Sequence, residues 1–161
     1  MNRETQRHAV CCELVHDVAC SSGEVTLMVR GASMLPAIWP GDVVTVRRCD
    51  FAELRAGQIA LFHRDGKLTA HRIQSIDSNE IVTRGDSIAC FDAPVRPGEI
   101  VGRVESIRRG GSTFNPEQRL WQRVAAGILR NSDLCMRATL FVSRRLRPNW
   151  EMRTMNWAAK R

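Results

Sequence analysis

Gln58-Ile59-Ala60-Leu61-Phe62-His63-Arg64-Asp65-Gly66-Lys67-Leu68-Thr69-Ala70-His71-Arg72-Ile73 reads as two strands joined by a tight turn. Ile59 to Phe62 is an apolar run too short for a helix, and Lys67 to Ile73 mixes β-branched and polar residues. Asp65-Gly66 is the pair that a two-residue hairpin favours, so Phe62 and Lys67 fall on adjacent antiparallel strands. Strand-like stretches of the same kind recur on both sides, at 25–30, 43–47, 80–83 and 99–104. Pro40-Gly41-Asp42, Asp77-Ser78-Asn79 and Pro97-Gly98 punctuate them as turns. The expectation is a compact, mainly β domain.

Helical patterns flank this domain. Residues 5–20 read as a short helix stopped by Ser21-Ser22-Gly23, with Val10, Leu14, Val15 and Val18 as its packing face. Beyond Gly110-Gly111-Ser112, Leu120, Val124, Ala125, Ile128 and Leu129 recur at helical spacing among Arg119, Arg123 and Arg130. A further helical run from Leu134 to Leu146 ends before Pro148. The organisation read from this is an N-terminal helix at 1–23, a β-rich domain at 24–112 and a basic helical tail at 113–161.

At 161 residues there is room for one core and not for two of ordinary size. Charge is divided unevenly: residues 1–116 hold 14 basic and 14 acidic side chains, whereas 117–161 hold 10 and 3. The net +7 therefore lies wholly in the tail, which with Trp121, Trp150 and Trp157 suits an anionic membrane surface or an acidic partner, or else is a solvated helix face. Nucleic acid is not the expected partner. No stretch approaches the ~20 uninterrupted apolar residues that span a bilayer, and charges at Arg3, Glu4, Arg7, Glu13 and Asp17 break any apolar leader. The expected compartment is the cytoplasm, with peripheral membrane contact left to the tail.

Cys11, Cys12, Cys20, Cys49, Cys90 and Cys135 form no CxxC pair, which argues for free thiols over a zinc ribbon or a disulfide framework. His8, Cys12, His16 and Cys20 recur at spacing four, a pattern that can present metal ligands on one helix side. Core packing explains the same cysteines, and no metal and no cofactor are expected.

The chemistry-bearing stretch is Gly31-Ala32-Ser33-Met34-Leu35-Pro36, followed by Pro40-Gly41-Asp42. A serine hydroxyl is a weak nucleophile and needs a base to take its proton and a third group to orient that base. His71 is the candidate base, and Thr83-Arg84-Gly85-Asp86-Ser87-Ile88-Ala89-Cys90-Phe91-Asp92 carries the candidate carboxylates. Each residue alone has a blander reading: Ser33 as the cap of the turn at Pro36, His71 as a hydrogen-bonded strand residue, the aspartates as turn residues. His63 is a competing base. Their joint order is what favours catalysis.

In that order, Ser33-Met34-Leu35-Pro36, Gly41-Asp42, His71-Arg72 and Gly85-Asp86 with Asp92 resemble the boxes of type I signal peptidases, in a superfamily that also includes the self-cleaving LexA-like repressors. The resemblance covers roughly residues 25 to 108. With a histidine rather than a lysine as base, it is closest to the archaeal and endoplasmic-reticulum branch. It implies a signal-peptidase/LexA-like β fold and serine-type endopeptidase activity on a peptide or protein precursor. Ser33 then corresponds to the nucleophile, His71 to the general base and Asp92 to the orienting acid, with Asp86, Arg72 and Met34 in support. Asp86 corresponds to the residue that closes the turn and pairs with Arg72, and is the other candidate for the third catalytic position. An ordinary histidine is mostly neutral near pH 7, whereas a lysine base must first be desolvated.

Two departures stand out. Signal peptidases often carry a hydroxyl residue two positions before the nucleophile, where this chain has Gly31, so the Ser33 backbone N–H is left to serve the oxyanion, alone or with a neighbouring amide. Nor is any stretch of this sequence expected to serve as the family's membrane anchor. The alternative is a non-catalytic or LexA-like regulatory module whose basic tail binds nucleic acid or membrane. Against a repressor, the 24 residues before the first strand are few for a helix-turn-helix domain, and Ala56-Gly57 and Ala126-Gly127 both follow Ser33.

Overall fold

The structure, a computed structural model, describes residues 3–116. The expected tail helices and the basic segment at 117–161 lie outside the described residues. Within them, α1 (Arg3–Ser22) precedes β1 (Glu24–Met28), β2 (Val43–Arg47), β3 (Ile59–Arg64), β4 (Lys67–Ile76), β5 (Ile81–Arg84), β6 (Ile100–Arg109) and β7 (Ser112–Phe114). The mainly β architecture read from the sequence is the one observed. All pairings are antiparallel, in the order β1-β2-β6-β3-β4-β5, with β7 continuing beside β6.

The 58–73 hairpin lies at the centre of this sheet. Asp65 and Gly66 both have positive φ, 52° and 69°, the backbone twist that joins Arg64 to its partner Lys67 without splaying the strands. β3 is buried on both faces. Ile59 and Leu61 enter one core cluster with Val44, Val46, Val101 and Val104, whereas Ala60 and Phe62 enter a second with Leu54, Ile73, Ile81 and Val95. An uninterrupted apolar run is what a strand covered on both sides requires. α1 supplies Val15 and Ala19 to the first cluster and stops at Gly23, whose N–H donates to the Ala19 carbonyl.

Two expectations are corrected. Among the α1 residues whose burial is described, Cys12, Val15 and Ala19 are buried, while Val10, Leu14 and Val18 are exposed. At 100° per residue these triplets lie on different sides of the helix, and apolar residues on both sides left the sequence pattern ambiguous. Gly110-Gly111 is not the boundary before a tail helix. With φ of 56° and 88° it forms a second hairpin turn, and Ile107 pairs with Phe114 across it. The boundary expected after residue 112 therefore cuts β7.

Candidate active site

Ser33 lies in the segment between β1 and β2, which is folded back and closed at its base. The Val29 N–H donates to the Asp42 carbonyl and the Gly41 N–H to the Val29 carbonyl, both at 2.8 Å. Gly41 has φ of 87°, so the tight turn into β2 is one that glycine adopts without strain. The Asp42 carboxylate, fully buried, accepts the Trp39 N–H at 2.8 Å and the Arg109 guanidinium from the end of β6. Met34, Ala37 and Ile38 fill the first core cluster beneath the segment. Met34 is thus an anchor of the nucleophile segment, 2% exposed.

His71 stands on β4 opposite Ala60, on the second-cluster face of the sheet, with the Phe62 ring edge-on at 6.3 Å. The imidazole links two partners. Nε2 lies 3.0 Å from Ser33 Oγ, and Nδ1 lies 2.6 Å from Asp92 Oδ2. A carboxylate accepts only, so the tautomer that satisfies the pair carries its proton on Nδ1 and leaves the Nε2 lone pair for the serine O–H. Asp92 is oriented in turn: its Oδ2 accepts the Thr83 hydroxyl at 2.7 Å, and its N–H donates to the Thr83 carbonyl at 2.9 Å. His71 is buried and Asp92 is partly open to solvent.

Of the residues singled out in the sequence, Ser33, His71 and Asp92 meet. Asp86 does not face His71. Both its oxygens take a bidentate hydrogen bond from Arg72, at 2.8 and 2.7 Å, and Arg72 also donates to the Gly57 carbonyl at 2.7 Å. The pair is buried on both sides and ties β4 to the turn after β5. His63 shares β3 with Ala60 at odd spacing, on the other sheet face, where its ring meets His16 of α1 at 5.7 Å. The metal pattern on α1 divides, with Cys12 buried and Cys20 exposed, and no group of three His, Cys, Asp or Glu among the described residues is placed to hold a metal ion.

Several contacts had no role in the sequence reading. A side chain at Gly85 would put its Cβ 2.7 Å from the Ser33 carbonyl oxygen and 3.1 Å from His71 Nε2, so only glycine lets this turn close over the pair. Ser87 donates through both its N–H and its hydroxyl to the Ser33 segment. Arg64, at the hairpin end, donates to the carbonyls of Ala93 and Pro94, at 3.0 and 2.6 Å, just after Asp92. It also pairs with Glu99 at 2.7 Å, and that hydrogen bond, against the opposing effect of burial, holds the Glu99 carboxyl down at about 2. Burial pushes the Cys49 thiol up, so it is a poor nucleophile at neutral pH.

The family described as Peptidase S24-like matches residues 5–104. The chain belongs to the Peptidase S24-like family. That match supports the superfamily of LexA-like and signal-peptidase-type serine peptidases, and the matched stretch runs from α1 into β6 with Ser33, His71 and Asp92 all inside it. Comparison with curated proteins gives no match. Among the described residues no helix is long and apolar enough to cross a membrane.

Proposed function

We propose that this Peptidase S24-like chain is a serine endopeptidase that cleaves a peptide or protein precursor through Ser33, His71 and Asp92. The observation that carries the reading is the continuous chain of contacts from Ser33 Oγ through the imidazole to Asp92 Oδ2, at 3.0 and 2.6 Å. In the proposed reaction Ser33 Oγ attacks the scissile carbonyl carbon while His71 Nε2 takes the hydroxyl proton. Asp92 stabilises the imidazolium that forms. The oxyanion is received by the Ser33 N–H, which meets no acceptor among the described residues. Collapse breaks the C–N bond, and His71 hands its proton to the leaving amine. Water then loses a proton to His71, attacks the acyl-serine and regenerates the hydroxyl.

Among the described residues β1 is the terminal strand of the sheet, and it leads directly into the Ser33 segment, so an extended peptide added to its outer edge runs toward the hydroxyl. The histidine base is the feature that aligns the chain with the Ser-His signal peptidases, and precursor processing is the activity that this alignment supports. Action in the cytoplasm, with the basic tail touching a membrane or an acidic partner, completes the reading.

The test is mass spectrometry of a proteome-derived peptide library incubated with wild-type protein and with Ser33→Ala. New termini that appear with wild type and not with Ser33→Ala are expected. Cleavage undiminished in Ser33→Ala overturns the assignment.

A further inference from the structure

With Gly31 offering no side chain to the oxyanion, the direction of the Ser33 N–H depends on what holds the peptides around it. Ser87 is the residue in contact with both. It is 6% exposed, and its Oγ lies 3.0 Å from the Ala32 carbonyl oxygen and 2.9 Å from that of Ser33. Its N–H donates to the Ser33 carbonyl at 3.0 Å. The hydroxyl has one proton and serves one carbonyl at a time. The Leu35 N–H supports the Ala32 carbonyl as well, at 3.2 Å.

In a trans peptide the C=O and N–H point in opposite directions from one plane. The peptide joining Ala32 to Ser33 is trans. Holding the Ala32 oxygen toward Ser87 therefore turns the Ser33 N–H away from Ser87, and holding the Ser33 oxygen does the same for the Met34 N–H. Resting on the serine peptidase reading, we propose that Ser87 is a positioning residue for the oxyanion site, its hydroxyl fixing the peptide plane that presents the Ser33 N–H. Ser87 touches neither His71 nor the reacting atoms in this scheme and moves no proton. It acts through the backbone on the atom that must meet developing negative charge, where a preorganised donor has its largest effect.

Losing an oxyanion donor outright costs about 10²–10³-fold in rate, and tilting one costs less. The test follows the rate of phosphonylation of Ser33 by a fluorophosphonate probe, a reaction in which the serine oxygen displaces fluoride and charge builds on the phosphoryl oxygen. Ser87→Ala is expected to slow the maximal labelling rate roughly tenfold or more, with the probe concentration at half-maximal rate and the pH midpoint unchanged. Ser87→Thr, which keeps the hydroxyl, restores the rate to within about threefold. Ser87→Cys fills nearly the same space with a weak donor and gives the same loss as alanine, which decides the matter if the alanine form melts below the assay temperature. Unchanged rates in Ser87→Ala and Ser87→Cys overturn the inference and leave the peptidase reading intact. So does a moved pH midpoint, which places the effect on His71. Failure of wild-type Ser33 to label at all overturns the peptidase reading and this inference with it.

Discussion

Gly85 leaves no room for a methyl group between the Ser33 carbonyl and the His71 ring, and its turn cannot retreat without losing the Ser87 contacts next to it. Gly85→Ala is therefore expected to lower activity by about 10²-fold through displacement of the pair, with the sheet intact by circular dichroism. Asp92→Asn keeps the shape but offers His71 an amide that can favour the wrong tautomer. A loss of roughly 10³–10⁴-fold in labelling or cleavage is expected, by the logic of other serine triads. Asp86→Asn, by contrast, leaves Arg72 buried opposite a neutral group. It should lower stability by about 3 kcal/mol, read in denaturant melts, in excess of what Asp92→Asn does. At this scale the contact of Ser33 with His71 follows the order of their boxes in the sequence and not rarity, since the chain holds ten serines and four histidines. The choice between Asp92 and Asp86 was harder, since both sit in one loop and only the fold decides which turns toward β4. Ser87 went unread because its hydrogen bonds reach a segment more than fifty residues away, and Thr83 because its bond to Asp92, nine residues on, depends on how the loop after β5 folds back.

Among the elements, the Val29–Asp42 segment depends on a single buried carboxylate. Asp42 holds both its own turn and the end of β6, so Asp42→Ala leaves Arg109 without its carboxylate partner, with only the Ala37 carbonyl and the Trp39 and Phe114 rings beside it, and the Trp39 N–H without its acceptor. A loss of about 3 kcal/mol, seen as a lower denaturation midpoint with unchanged slope, is the expected outcome. The Arg64–Glu99 pair ties the central hairpin to the segment after Asp92, and its contribution depends on pH. The Glu99 carboxyl sits at about 2 in the folded protein against an ordinary 4.5, so the unfolded chain binds the proton more tightly. The contribution is complete above pH 4.5 and is lost as the pH falls toward 2. With both side chains about a quarter exposed, it amounts to about 1 kcal/mol. The melting-temperature gap between wild type and Glu99→Gln should be open at pH 6 and close by pH 2; a gap independent of pH would contradict it. Strands β1 to β6 were readable from β-branched runs between turn residues. β7 was not, because three residues after a glycine pair carry too little pattern, and the face of α1 was not, because apolar residues surround it.

At the scale of the whole molecule, the buried members of both described core clusters lie between Val15 and Ile107. The tail is distinguished by its charge, 10 basic against 3 acidic residues, which suits an anionic surface. Full-length protein is expected to sediment with vesicles containing anionic lipid in a salt-sensitive way, and a chain ending at Pro116 is expected to lose that binding while keeping its reaction at Ser33. Equal sedimentation of both forms would remove the tail from the account. Everything else rests on the activation of one hydroxyl by one imidazole. The most direct measurement of that is the intact mass of the full-length protein after treatment with a fluorophosphonate, followed by mapping of the adduct. A single phosphonyl adduct on Ser33, absent in Ser33→Ala and strongly reduced in His71→Ala, is the predicted result; an unmodified wild type, or an adduct that forms undiminished in His71→Ala, contradicts it.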